Sequence, residues 1–161
     1  MNHFPTDRTP AFIADAHLGR LAKHLRFAGY DTLFLPKRNG RELLELAKRE
    51  ARCFLSRSAR LPDSSALYRI HSDTLHDTLT ELIVQFPLLR ERYAPFSRCI
   101  RCNTLLEPAE MDSLPDTLPP FVREHFDTFR HCPACGRDYW RGSHYRRMDA
   151  LWRELFRRLR Y

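Results

Sequence analysis

The chain lacks any run approaching the roughly 20 apolar residues that a membrane-spanning helix needs, which excludes a helical membrane protein. Its first ten residues, MNHFPTDRTP, carry no apolar signal region, so a soluble cytoplasmic protein is expected. Nothing repeats along it beyond two C-x-x-C units. Acid is scarce: 20 Asp and Glu stand against 27 Lys and Arg in 161 residues, a net charge of +7. That imbalance favours a polyanionic partner, and by itself fits nucleic acid, an anionic membrane surface or an acidic protein. Disorder is excluded, because 43% hydrophobic and 12% aromatic residues supply the apolar surface of a packed globule.

Apolar spacing organises the first half. Residues 11 to 14 (AFIA) read as a short buried strand, and Leu18, Leu21, Ala22 and Leu25 then fall at helical spacing, with Gly29 as the stop. DTLFL (31 to 35), RELLELAKRE (41 to 50) and RCFLS (52 to 56) read as strand, helix and strand. ALYRI (66 to 70) adds a fourth strand, and a helix through 74 to 86 takes its N-cap from Ser72 or Asp73. Alternating strands and helices imply a parallel sheet with right-handed crossovers. From Pro87 the period is lost, and six prolines and four cysteines between residues 95 and 135 mark a loop-rich module. The chain closes on a basic amphipathic helix, DALWRELFRRLR (149 to 160), with an apolar stripe of Leu151, Leu155 and Leu159 beside Arg153, Arg157, Arg158 and Arg160. The expected organisation is an α/β domain over 11–92, a zinc module over 93–148 and a C-terminal helix over 149–161.

Four of the five cysteines form the pairs Cys99-Ile-Arg-Cys102 and Cys132-Pro-Ala-Cys135. Two thiolates of one turn grip a tetrahedral ion, and two such turns complete a four-sulfur zinc site; disulfide or redox roles are the alternative. A closed four-cysteine site leaves no open coordination position, so its zinc is structural. Asn103 and Gly136 follow the pairs and suit the positive backbone angles of tight knuckles. The 29 residues from 103 to 131 are expected to pack as a small lobe of their own. Cys53 lies in an apolar segment and reads as a small core residue.

After the second pair, RDYWRGSHYRRM (137 to 148) interleaves arginines with aromatics. Such a pattern suits RNA, where guanidinium groups meet phosphates and rings stack on unpaired bases; rings packed on the knuckle beside solvated arginines are the alternative.

Parallel sheets bind ligands outside the carboxyl ends of their strands. Asp15 follows the first strand there, Glu42 lies in the first turn after the second, and Ser56, Arg57 and Ser58 follow the third. Asp15 is either an N-cap or a metal ligand. With Glu42 it offers two carboxylates to Mg2+ or Mn2+, which would be held weakly with several waters.

DAHLGRLAKHLRFAGYDT, the ELL of 42 to 44, FLSR at 54 to 57, RCIRCNTLLEP at 98 to 108 and CPACGRDYWRGSHYRRM at 132 to 148 together resemble the Mut-seven C-terminal RNase domain family, across residues 11 to 148. The resemblance implies a PIN-like nuclease fold with a zinc ribbon, and ribonuclease chemistry that uses acids at three places. Asp15 matches the first. Gly40 stands where the second implies an aspartate, and Ser58 where the third does. Each missing carboxylate removes a negative charge from a cation site.

The expectation is therefore an RNA-acting protein in which RNA binding is more secure than cleavage. Arg20, Lys23, Arg26, Arg57, Trp140, Arg141, Ser143, His144, Arg146 and Arg147 are the expected RNA contacts. Two alternatives stand beside it. One is an active ribonuclease using Mg2+ or Mn2+ on Asp15 and Glu42; the other is a protein-interaction module docking through its basic C-terminal helix.

Overall fold

The computed structural model describes residues 10–159; the opening segment MNHFPTDRT and Arg160 of the C-terminal basic stripe lie outside the described residues. Strands β1 (Phe12–Ala14), β2 (Thr32–Phe34), β3 (Cys53–Ser56) and β4 (Leu67–Arg69) form one sheet in the order β2-β1-β3-β4, every pair parallel. Helix α1 (Gly19–Phe27) connects β1 to β2, and α2 (Gly40–Arg49) connects β2 to β3. The α/β reading of the sequence holds.

Period-two alternation sorts the strand residues between two cores. Phe12, Ala14, Cys53 and Leu55 face a core shared with α1 and α3 (Leu75–Gln85), whereas Ile13, Phe54 and Leu67 face α2 through Leu43, Leu44 and Ala47. Gly29, at φ +97°, ends α1 as expected: the Gly29 and Tyr30 N–H groups donate back to the carbonyls of Arg26 and Leu25. A Cβ at Gly29 would lie 2.6 Å from the Ala94 carbonyl oxygen, so this turn also needs glycine for space.

Two boundaries differ from the sequence expectation. The N-cap of α3 is Thr74, whose hydroxyl accepts from the Asp77 N–H, because Ser72 instead donates its hydroxyl to Glu81. The last helix, α6 (Ser143–Arg158), starts six residues before 149, since Met148, Trp152 and Leu155 continue one helical stripe. That stripe is not free. Met148, Trp152 and Leu155 are buried in the first core, with Leu151 and Leu159 packed against it, and the Trp152 ring contacts Tyr30, Tyr93 and Phe156. The apolar face expected to dock on a partner is occupied from within.

Beyond the short helix α4 (Leu88–Glu91), β5 (Glu107–Ala109), β6 (Phe129–His131) and β7 (Asp138–Trp140) form an antiparallel sheet. The insert between the cysteine pairs includes α5 (Pro120–His125) and has its own apolar cluster of Leu114, Leu118, Val122 and Phe129.

Candidate metal knuckles and basic groove

The strand order reverses around β1, so the crevice of this sheet lies between the carboxyl ends of β1 and β3. Asp15 and Ser56 meet there. One Asp15 carboxylate oxygen accepts from the Ala16 N–H at 2.7 Å, the other from the Ser56 hydroxyl at 2.5 Å, and Ser56 Oγ accepts from the Ser58 N–H at 3.1 Å. Asp15 is thus a helix cap that also ties two strand ends together.

The other site residues expected at this edge, Glu42 and Arg57, are held by the fold, as is Arg69. Glu42 closes a capping box: its backbone N–H donates to the Asn39 side chain at 3.0 Å and its carboxylate accepts from the Asn39 N–H at 3.2 Å. Arg57 donates to the carbonyls of Ser72 and Asp73 and to the Thr78 hydroxyl, bracing the start of α3. Arg69 donates to the carbonyls of Ser58 and Leu61 and to Asp63, which fills the loop after β3 with a cation rather than an acid. Among the described residues, no three acidic, histidine or cysteine side chains other than the four paired cysteines come close enough to share an ion.

Those four cysteines do. The Sγ atoms of Cys99, Cys102, Cys132 and Cys135 all lie within 4.8 Å of one another, and all four thiols are unbridged. A tetrahedral ion with Zn–S bonds of about 2.3 Å places its sulfurs about 3.8 Å apart; the Cys102 to Cys132 and Cys99 to Cys135 separations are 3.4 and 3.7 Å. The donor set and its spacing fit zinc. Tyr139 Oη lies 3.0 Å from Cys99 Sγ, and Asn103 and Gly136 adopt φ of +73° and +71° after the two turns.

The first knuckle is fastened to the α/β domain by two residues. Arg26, expected at the RNA surface, is buried: its guanidinium donates to the carbonyls of Thr32 at 2.8 Å, Ile100 at 3.2 Å and Arg101 at 2.7 Å. A buried guanidinium persists when its donors are satisfied, and here it joins α1, β2 and the knuckle. Asn103 does the rest. Its side chain accepts from the Thr32 N–H at 2.9 Å and donates to Asp31 at 2.7 Å, so the knuckle completes the hydrogen bonding of edge strand β2. Asp31 in turn holds Arg52 through two bonds of 2.8 and 3.0 Å.

Between α1 and the knuckles runs a groove of about 610 Å³. Arg20 and Lys23 line it from α1, Arg101 from the first knuckle and Arg137 from just past the second, with Phe34, Ile100 and Tyr139 as apolar floor. None of these four cationic side chains has a hydrogen-bond or ion-pair partner among the described residues. Sequence reasoning found Arg20 and Lys23, held Arg137 only as part of the segment 137 to 148, and missed Arg101. The signal for Arg101 was its position: it is a variable residue of the first C-x-x-C turn, exposed beside a basic helix.

The other expected contacts lie nearby. Arg141 stands over the rings of Phe96 and Tyr145 at 5.5 and 5.7 Å; Ser143, His144, Arg146 and Arg147 are exposed at the start of α6. His24, between the two regions, is pushed down to about 4 by burial and by the charges of Arg20 and His144.

The chain is a parallel α/β domain joined to a pair of knuckles whose four cysteines fit zinc, with a groove of basic side chains along the seam. The chain belongs to the Mut7-C RNAse domain family, whose model matches residues 10–152. No curated protein and no solved structure matches it.

Proposed function

We propose that the protein binds RNA through the groove between α1 and the metal knuckles, and that RNA binding is more secure in it than cleavage. The observation that carries this is the unpaired set of Arg20, Lys23, Arg101 and Arg137 in one groove of a chain that belongs to a ribonuclease domain family. The four cations would displace condensed counterions from RNA phosphates lying in the groove, which supplies affinity without reading sequence. Tyr139 and Phe34 offer faces for bases. Free thiols paired as metal ligands suit a reducing compartment such as the cytoplasm. No helix among the described residues is long and apolar enough to cross a membrane.

Cleavage has weaker support. Asp15 sits at the crevice where α/β sheets bind ligands, which keeps a metal-dependent ribonuclease as the second reading. Its carboxylate is already committed to Ala16 and Ser56, and Glu42 to Asn39.

One experiment separates the two. Zinc-loaded protein is incubated with a panel of labelled RNAs in Mn2+ or EDTA, and binding and cleavage are recorded in the same samples beside Asp15→Asn. Salt-dependent binding without cleavage, unchanged in Asp15→Asn, is expected. Manganese-dependent cleavage that disappears in Asp15→Asn establishes the nuclease instead, and affinity indifferent to salt removes the groove.

A further inference from the structure

An aromatic slot of about 230 Å³ adjoins the basic groove. Phe27, Phe96, Trp140 and Tyr145 form its walls, and Ile100 and Tyr139 line both spaces, so the slot and the groove are neighbours on either side of those two side chains. It is smaller than the roughly 300 Å³ at which pockets for drug-sized ligands begin, and suits one planar group.

The walls are held before any ligand arrives. Tyr145 makes ring contacts with Phe27 at 5.2 Å and Phe96 at 5.6 Å, and Arg141 lies over both Phe96 and Tyr145. Little ordering is left to be done on binding. The lining also carries polar groups: Arg98, the exposed side chains of Ser143 and His144, the uncapped first turn of α6 after Gly142, and Asp138, which accepts from His131 at 2.8 Å.

We propose that this slot takes one unpaired nucleobase of a single-stranded RNA whose phosphates follow the groove, an inference that rests on the RNA reading above. A base can stack on the open part of the aromatic lining or on the guanidinium plane of Arg141 where that group already covers Phe96 and Tyr145, and cations one step away neutralise the adjoining phosphates. Bases within a duplex are stacked on each other and cannot enter. A seam left over from domain packing would need no such shape: the two parts are already joined by Arg26 and Asn103 at the knuckle, on the groove side of Ile100.

The test uses the full zinc-loaded chain and three probes at one low salt concentration: a single-stranded RNA 8-mer, an abasic oligomer with the same number of phosphates, and a blunt duplex of the 8-mer. Fluorescence anisotropy is expected to show the single strand binding roughly 10- to 100-fold more tightly than the abasic oligomer, with the duplex no better than the abasic one. Ser143→Phe, an exposed position on the slot lining, is expected to remove most of the single strand's advantage over the abasic oligomer while leaving abasic binding and zinc content unchanged. Equal affinities for the single strand and the abasic oligomer, or a preference undiminished by Ser143→Phe, overturn the slot and leave the groove standing. Failure of all three probes to bind overturns the RNA reading and the slot with it.

Discussion

The candidate site residues at the carboxyl edge of the parallel sheet and the cations of the groove beside the knuckles are used in opposite ways. At the edge, Asp15 serves a turn and a strand end, Glu42 a capping box, Arg57 the start of α3 and Arg69 the loop after β3. In the groove, the side chains of Arg20, Lys23, Arg101 and Arg137 have no hydrogen-bond or ion-pair partner among the described residues. A buried or bonded charge stabilises the fold at the expense of its availability, whereas an unpartnered one on a concave wall is available to a ligand. Arg26 shows how sharp the division is. It lies three residues from Lys23 on the same helix, yet its guanidinium is enclosed by three carbonyls.

The largest effect that sharpens this contrast is loss of the metal. Structural zinc contributes on the order of 10 kcal/mol to folding in small zinc modules, and here the first knuckle also carries the bonds from Arg26 and Asn103 to β2. Stoichiometric zinc by mass spectrometry is expected, together with collapse of cooperative thermal unfolding on chelation or in Cys99→Ser. A chain that holds no zinc and melts unchanged with a strong chelator would break the link between knuckle and groove.

Next in size is Arg26→Met, which strands the carbonyls of Thr32, Ile100 and Arg101 and is expected to cost about 3 kcal/mol in urea unfolding. Lys23→Met, one turn away and exposed, is expected to change stability by less than about 0.5 kcal/mol. Equal losses from the two would show that the buried and open cations do not differ as their surroundings indicate.

What the sequence made legible follows the range of the forces involved. The α/β alternation and the α1 stop are local patterns of period and turn chemistry, and they appear in the structure within a residue or two. The cysteine cluster was legible because ligand spacing within each turn is a chemical constraint. The role of Arg26 was not. Its partners at Ile100 and Arg101 lie more than 70 residues along the chain, and a helical arginine beside a basic stripe carries no mark of burial. The surroundings of the C-terminal helix were not legible for a related reason: an apolar stripe flanked by arginines reads alike whether it meets a partner or its own core, and Trp152 meets its own core. Asp15 was left between cap and ligand, and its bonds to Ala16 and Ser56 supply the cap while leaving the chemistry to experiment.

A third, smaller effect concerns His24, whose Nδ1 is buried without a hydrogen-bond partner beside Arg20. Its pKa in the fold lies near 4, below the 6.5 of an unfolded histidine. Below pH 6.5 the unfolded chain therefore takes up a proton that the folded chain refuses, so stability present above that pH is lost as pH falls towards 4. The loss is expected to reach about 2 to 3 kcal/mol near pH 4, and to shrink in His24→Gln. Urea midpoints measured from pH 7 to pH 4 check it; parallel curves for the two proteins would mean that His24 is not held neutral.

The smallest effects on stability belong to the groove itself, and there the reading passes to affinity. Arg20→Ala, Lys23→Ala and Arg137→Ala each remove one unpartnered cation and are expected to leave unfolding nearly unchanged. If each meets one phosphate of a single strand, the slope of log affinity against log salt should flatten by about 0.7 per substitution. Arg57→Ala, at the sheet edge, is expected to do the reverse: it loosens the start of α3, where its guanidinium holds Ser72, Asp73 and Thr78, and leaves the salt slope alone. A flattened slope in Arg57→Ala with none in Arg20→Ala would move the polyanion from the knuckle groove to the sheet edge, and with it the place where the family's chemistry has to be sought.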